Sequence, residues 1–231
     1  MEKLLSNLGL KVSEYAYLKD PESSDLGKRI TQGAIDLIDA IGFEEFTFRK
    51  LAQQISSTEA SIYRYFENKH KLLLYLTSWY WSWMNYRLAF AMANVPDPKE
   101  RLVRAIELLT RQVEEDGGFT HINEVKLHRI IIEDSSKVYL TREVDEENKE
   151  GAYLIYKELV GRVSEVIKEI APDFKYPNML VSTVIEGARH QHYFAEHLPR
   201  LTNVIEGEDA VTDFYREMVL HTIREESIQQ A

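Results

Sequence analysis

The sequence predicts an all-α fold, and three observations carry that prediction. Apolar residues recur at helical spacing through most of the chain. The long apolar/polar alternations of half-buried strands are missing. Proline and glycine cluster at Asp20-Pro21, Val95-Pro96-Asp97-Pro98, Asp116-Gly117-Gly118, Ala171-Pro172-Asp173, Tyr176-Pro177 and Leu198-Pro199, and these breaks cut the chain into helix-length pieces. A length of 231 residues suits one large domain, or a small domain joined to a larger one.

Read in order, residues 1–24 form either a loose arm or a short helix lined by Leu4, Leu5, Leu8, Tyr15 and Leu18. The first full helix covers 25–41. Ile30, Ala34, Leu37, Ile38 and Ile41 make its apolar stripe, and Gly42 stops it. Thr47 caps a second, short helix whose inward face is Phe48, Leu51, Ala52 and Ile55. Ser56-Ser57-Thr58 is a polar turn able to cap a third helix over 60–66, with Ile62 and Phe66 pointing inward. A long helix starts near His70, and further amphipathic helices cover 177–197 and 208–226.

Composition narrows the function. The 44% apolar content supports a substantial core, and no run approaches the ~18 apolar residues of a membrane span. The first nine residues lack the blocks of a signal peptide, so a cytoplasmic location is expected, with no membrane partner. Without cysteine there is no disulfide, thiolate zinc site or cysteine nucleophile. The net charge of −10 argues against a nonspecific nucleic-acid coat. The acidity is uneven. Residues 1–75 carry 10 Lys/Arg and 11 Asp/Glu, and the remainder carries 18 and 27.

Three short helices at these separations make a helix-turn-helix, in which the third helix can enter a major groove. Ser61, Tyr63, Arg64 and Tyr65 lie off its apolar stripe and offer hydroxyl and guanidinium donors. Lys69, at the start of the next helix, is placed for a phosphate. The run Gly42-Phe43-Glu44-Glu45-Phe46-Thr47-Phe48-Arg49-Lys50-Leu51-Ala52, then Ser61-Ile62-Tyr63-Arg64-Tyr65-Phe66-Glu67-Asn68-Lys69 and Leu72-Leu73, resembles the DNA-binding domain of the tetracycline-repressor (TetR) family. The match covers about 25–76, roughly a quarter of the chain. It implies base and backbone contacts by Thr47 and Arg49, a groove face of Glu59, Ser61 and Tyr63, and phosphate contacts by Tyr65 and Lys69. Ser56 and Ser57 stand where the family has a glycine and an apolar residue, and Glu59 stands where Lys or Gln is common. Glu59 has two readings, a capping-box partner of Ser56 or a reader of a cytosine amino group. Tyr63 and Tyr65 are also readable as packing aromatics, and Arg49 as half of a local ion pair.

The long helix carries Trp79, Trp83, Tyr86 and Phe90 on one stripe and Tyr80 and Trp81 elsewhere, so it must bury more than one face. Trp79, Trp83 and Tyr86, with His128, Tyr153, Tyr156, His190 and Tyr193, are candidates for a ligand pocket; simple core packing is the alternative. Glu186 and His190 share a helix face, but two ligands do not make a metal site, and neither metal nor cofactor is expected. The acidic run 145–150 reads as a solvated helix start. On the last two helices Val184, Gly187, Ala188, Phe214 and Met218 are candidates for a homodimer interface, with burial inside one subunit as the alternative.

The expected organisation is an arm over 1–24, a helix-turn-helix domain over 25–72, and a helical sensing and dimerisation domain over 73–231. The resemblance implies a ligand-responsive transcriptional regulator, in the repressor mode, with a double-stranded palindromic operator, a second copy of itself and a small-molecule effector as partners. A protein-interaction module built on the same helix-turn-helix stays open, because the N-terminal part is weakly basic and carries Glu59. An enzyme is disfavoured by the lack of a glycine-rich phosphate loop, a nucleophile motif or clustered metal-ligand spacing.

Overall fold

The computed structural model describes residues 10–114 and 121–228, with side chains as far as Arg224. The expectations for residues 1–9, including Leu4, Leu5 and Leu8, and for Asp116-Gly117-Gly118 lie outside the described residues. All regular structure among the described residues is helical. The helices are α1 (Asp25–Glu45), α2 (Phe48–Gln54), α3 (Glu59–Tyr63), α4 (Lys69–Met92), α5 (Pro98–Thr110), α6 (Glu124–Asp134), α7 (Ser136–Tyr139), α8 (Val144–Lys149), α9 (Leu154–Ile170), α10 (Pro177–His197) and α11 (Ala210–Ile228). Short 3-10 turns sit at Glu14–Ala16, Pro21–Ser23 and Pro199–Leu201.

Local chemistry sets these boundaries. Ser24, Thr47, Thr58, Asp97 and Asn123 each accept a backbone N–H in the first turn of the helix that follows, satisfying a donor the helix cannot satisfy itself. Gly42, at φ 76°, breaks α1 where the sequence places its end, and one further turn runs on to Glu45. The buried face of α1 is Ile30, Ala34, Ile35 and Ile38; Ile41, expected in the stripe, is 37% exposed. Ile35 takes its place because α1 is covered on more than one side, by α2 and by α6.

The chain forms two compact units. The first comprises 1–83 with 113–156. Here α1 packs on α2 and α6, α2 on α3, and α6 on α7. A ladder of ion pairs runs along the seam of α1 and the segment containing α6: Asp36 with Lys126, Asp39 with Arg129 through two hydrogen bonds of 2.7 and 2.8 Å, and Glu44 with Lys137 at 2.7 Å. The Lys137 hydrogen bond draws the Glu44 carboxyl below its ordinary range. Burial works against the charge on Lys137, but hydrogen bonds with Asp134 and Glu44 outweigh it and raise that ammonium. Residues 72–84 of α4 are all buried, so this part of the helix is covered around its whole girth.

The second unit comprises 84–112 with 157–231, in which α5 packs on α10 and α11, and α10 on α11. Leu102, Ile106, Val163, Ile167, Val184, Ala188, Val219 and Ile223 are among its buried side chains. Two polar ties lie inside it. The Thr110 hydroxyl donates to Thr212 Oγ1 at 3.0 Å, and His192 Nε2 donates to the Thr110 carbonyl at 2.6 Å. Gly187 is where α10 meets Tyr215: a Cβ there would overlap the tyrosine hydroxyl.

Two glycines in helices should respond with opposite sign. A Cβ on Gly27 would run into the backbone carbonyl of Pro21, whereas one on Gly161 would meet nothing within 4 Å. Gly27→Ala should lower unfolding stability by about 1–3 kcal/mol, the cost of overpacking against an immobile neighbour. Gly161→Ala should raise it by about 0.5–1 kcal/mol, because alanine has less freedom to lose. Urea midpoints of the two variants against the parent read both effects.

Candidate nucleic-acid interface

The turn between α2 and α3 keeps the geometry that a glycine normally serves. Ser57 N–H donates to the Ala52 carbonyl at 2.9 Å and Ser56 N–H to the Gln53 carbonyl at 3.3 Å, and Ser56 sits at φ 50°. These are the paired bonds of a Schellman ending, with serine in the left-handed position. The departure at Ser56 therefore leaves the turn intact, at the strain of an L-residue with positive φ.

The helix that follows is shorter than expected, five residues, and its cap is Thr58. Thr58 Oγ1 accepts from Ser61 N–H at 3.2 Å, and the two hydroxyls share a hydrogen bond of 2.8 Å. Ser56 is thus not the cap, and the capping-box reading of Glu59 falls because Glu59 is the first residue of α3, not its third. Glu59 is exposed. Ser61, expected on the groove face, is half-buried with its hydroxyl engaged by Thr58. Thr47 is exposed, and its hydroxyl accepts from Lys50 N–H at 3.2 Å. Arg49 and Arg64 are exposed. Tyr63 is 47% exposed, with one edge of its ring against Phe48 at 5.0 Å between centroids. Tyr63 is therefore a groove candidate and a packing ring at once.

Tyr65 and Lys69 have more internal work than their sequence assignments give them. The Tyr65 ring is buried, and its hydroxyl shares a 2.7 Å hydrogen bond with Ser24 and accepts from Lys19 Nζ at 3.2 Å. The Ser24 bond draws the phenol below its ordinary range against the effect of burial, helped by Lys19. The Lys69 ammonium donates to three carbonyls at the end of α1: Phe43 at 3.1 Å, Glu44 at 3.2 Å and Phe46 at 3.5 Å. It also lies 4.8 Å from the centroid of the Phe43 ring. Unpaired carbonyls at a helix C-terminus attract a cation, so this placement follows from the helix ending there. Lys50 Nζ adds a fourth contact, to the Glu45 carbonyl at 2.7 Å.

Sequence reasoning names residues 1–24 as an arm or a short helix, but not what the arm docks on. Leu18 N–H donates to the Tyr65 carbonyl at 2.7 Å, Ser13 N–H to Ser78 Oγ at 3.2 Å, and Tyr17 packs edge-on against Tyr75. Residues 10–24 are therefore tied to the end of the recognition segment and to α4. It also missed Glu147. That residue stands in the acidic run expected to be solvated, yet its carboxylate is buried, accepting from the Tyr153 hydroxyl at 2.6 Å and lying 2.9 Å from His70 Nε2 and 3.6 Å from Lys71 Nζ. The neighbours Asp145, Glu146 and Glu150 are exposed, as expected. The Tyr153 phenol is raised, first by burial and then by Glu147. A lone acid three residues into a charged run carries no signal that sets it apart.

The eight ligand-pocket candidates fall into two groups. In the first unit, Trp79 and Trp83 are buried and stacked at 6.4 Å, His128 is buried with Nδ1 2.9 Å from the Tyr80 hydroxyl, and Tyr156 stacks on Trp81 at 4.3 Å. Tyr153 and Tyr156 border a cavity of about 10 Å³, room for about one water. In the second unit Tyr86 is half-buried beside Phe90, while His190 and Tyr193 are exposed and pack on Phe194 and His197 of the same helix. The Glu186 carboxylate is engaged by Arg189. The dimer candidates divide as well. Val184 and Ala188 are buried inside the unit and Gly187 is abutted by Tyr215, so burial within one subunit holds for these three; Phe214 is 57% exposed and Met218 half-buried. Among the described residues no three His, Asp or Glu are grouped to hold a metal, and no helix is long and apolar enough to cross a membrane.

Residues 30–76 match the family model of bacterial regulatory proteins, tetR family. No curated protein matches the chain. Solved structures share its fold. The superantigen PfiT is 15% identical, aligning over 88% of this chain and 97% of its own with a TM-score of 0.57. PfmR, a TetR family transcriptional regulator from Thermus thermophilus, is 15% identical over 85% and 97%, with a TM-score of 0.55. AibR in complex with isovaleryl coenzyme A and operator DNA is 17% identical over 83% and 97%, with a TM-score of 0.55.

The carbonyl cluster around Lys69 predicts a stability effect. Lys69→Met keeps the stem but removes the ammonium, and should destabilise the protein by about 1–2 kcal/mol, the scale of a partly buried cation at a helix C-terminus. Lys175→Met, at an exposed position, serves as the comparison that leaves these carbonyls satisfied. A thermal midpoint for Lys69→Met equal to the parent's would show that the cluster contributes nothing.

Proposed function

We infer that this chain, a member of the tetR family of bacterial regulatory proteins by its residues 30–76, is a ligand-responsive transcriptional repressor that binds a palindromic operator as a dimer. The observation that carries this reading is the division of labour around α3. Phe48, Ile62, Tyr65 and Phe66 are buried, while Thr47, Arg49, Glu59, Tyr63 and Arg64 form an exposed polar set on α2 and α3. Arg49 and Arg64 supply forks for guanine or phosphate, and Glu59 an acceptor for a cytosine amino group. Ser61 supports the cap from beside them. Tyr65 and Lys69 keep a phosphate role at the rim: Lys19, which donates to the Tyr65 hydroxyl, adds a cation beside it, and the 3.5 Å bond of Lys69 to Phe46 is the longest of its three and the one a phosphate oxygen can replace. We assign roles as 25–72 for the reader and 73–231 for the sensing and dimerising part, a division by role that cuts across the two compact units.

A recognition helix of five residues reads too little alone, which favours two copies on two half-sites. On α10, Met179, Thr183, His190 and Tyr193 are exposed at one helical stripe, and on α11 Phe214 and His221 are exposed. These stripes are the proposed dimer face, in place of Val184, Gly187 and Ala188. A DNA-free interaction module is the second reading, favoured by the exposed Glu59 at the head of α3 and the internal engagement of Lys69.

Two measurements test the proposal. Mobility shift on DNA upstream of the protein's own coding region should show salt-sensitive binding. Arg49→Ala should weaken it by roughly 1–3 kcal/mol and relax base preference, while Arg64→Ala should weaken all sequences alike if it contacts phosphate. Binding unchanged in both variants would remove the groove face, and no binding to any DNA favours the interaction module. Separately, Phe214→Glu should shift sedimentation from dimer to monomer at micromolar concentration; a parent that sediments as a monomer defeats the dimer proposal outright.

A further inference from the structure

We propose that Glu147 is a positioning residue for the recognition segment: its buried carboxylate supplies, from a distant part of the chain, the negative charge that the start of α4 lacks. A helix N-terminus carries partial positive charge on its unpaired N–H groups and favours acids in its first turn. The start of α4 is the reverse, Lys69-His70-Lys71, with no acid in that turn. Asn68 Oδ1 accepts the Lys71 N–H at 2.9 Å, a cap that brings no charge.

Three basic residues side by side need partners from elsewhere. Lys69 finds the carbonyls that end α1. His70 and Lys71 find Glu147, which stands 77 residues beyond His70 in sequence. Glu147 Oε1 lies 2.9 Å from His70 Nε2 and 3.6 Å from Lys71 Nζ, and Oε2 accepts from the Tyr153 hydroxyl at 2.6 Å. The Lys71 ammonium also lies 3.0 Å from the centroid of the Tyr15 ring, so the arm shares in holding this turn. The Glu147 side chain is 3% exposed and that of Lys71 12%. A carboxylate buried this deeply is costly to desolvate unless cations and donors surround it. Two of its three partners come from one turn of α4, so satisfying Glu147 requires that turn to sit in one place. All of these residues belong to the first compact unit.

Only the link 64–68 separates α3 from α4, so whatever fixes the first turn of α4 fixes one end of α3 as well. Glu147 thereby makes the placement of α3 depend on α8 staying docked. That α3 reads DNA rests on the regulator reading above; the hold of Glu147 on α4 does not.

Amide hydrogen exchange of the full chain without DNA, read by mass spectrometry, tests the hold. Glu147→Gln keeps the size of the side chain and removes its charge. Exchange over 69–75 should then rise roughly tenfold, while α10, in the other unit, stays at the parent's rate. If that variant melts early, His70→Ala, at a half-buried position, reads the same coupling in reverse: exchange should rise over 144–149. A folded Glu147→Gln without a rise over 69–75, or a rise equally large over α10 in both variants, overturns the proposal, as does a His70→Ala variant that leaves 144–149 unchanged. A mobility shift on the same samples reads the consequence for DNA. Affinity should fall roughly tenfold in Glu147→Gln. Affinity equal to the parent's would show that Glu147 does not position the recognition segment. A parent that binds no DNA removes the regulator reading, and the exchange result still decides whether Glu147 holds α4.

Discussion

One ammonium ion ties the helix-turn-helix region together. Lys69 opens α4, yet its charge rests on the carbonyls of Phe43, Glu44 and Phe46, where α1 ends. Those carbonyls have no partner within their own helix, and the peptide dipoles concentrate negative charge there. The lysine therefore fixes the exit of the recognition segment to the end of the first helix, across 23 to 26 residues of sequence. A relay of rings follows the same path, from Phe43 to Phe46, Phe48 and Tyr63. The orientation of α3 thus follows from two contacts, a cation on carbonyls and a chain of aromatics that is stacked at Phe43–Phe46 and edge-on from there to Tyr63.

The α1 seam shows how charge is used for geometry in an acidic protein. Asp36 and Asp39 stand three apart on α1, and Lys126 and Arg129 stand three apart on α6, so the two pairs meet in register. Each exposed pair contributes little to stability. Together they fix the rotation of one helix against the other, a matter of specificity more than strength. They also neutralise acids that would otherwise lie near the proposed DNA face. The modest basicity of the N-terminal part is then less of an obstacle, since Asp36, Asp39 and Glu44 have cationic partners.

Helix existence and order were legible in the sequence because apolar spacing and breaks such as Gly42 and Pro96-Asp97-Pro98 report on the backbone directly. The recognition region was legible for a similar reason: Thr47 caps, Phe48 and Ile62 bury, and the spacing between them leaves little choice. What was not legible depended on contacts distant in sequence. Nothing at Tyr65 announces that Ser24 and Lys19 will hold its hydroxyl, and nothing at Glu147 announces His70 and Tyr153. Helical periodicity shows that Val184 and Ala188 face something apolar, but not whether that surface belongs to the same chain. The aromatic stripe was ambiguous for the same reason, since a ring needed for packing and a ring lining a pocket have the same period.

The separation between buried and exposed positions around α3 bears on how such a protein can change over evolutionary time. Tyr65, Phe66 and Lys69 each serve the architecture, so a substitution there disturbs the scaffold whatever it does to recognition. Arg49, Glu59 and Arg64 are exposed, and the fold asks little of them. Under the proposed reading, these three can be exchanged at little cost to stability. The address that is read can then drift from lineage to lineage while the frame that presents it is retained.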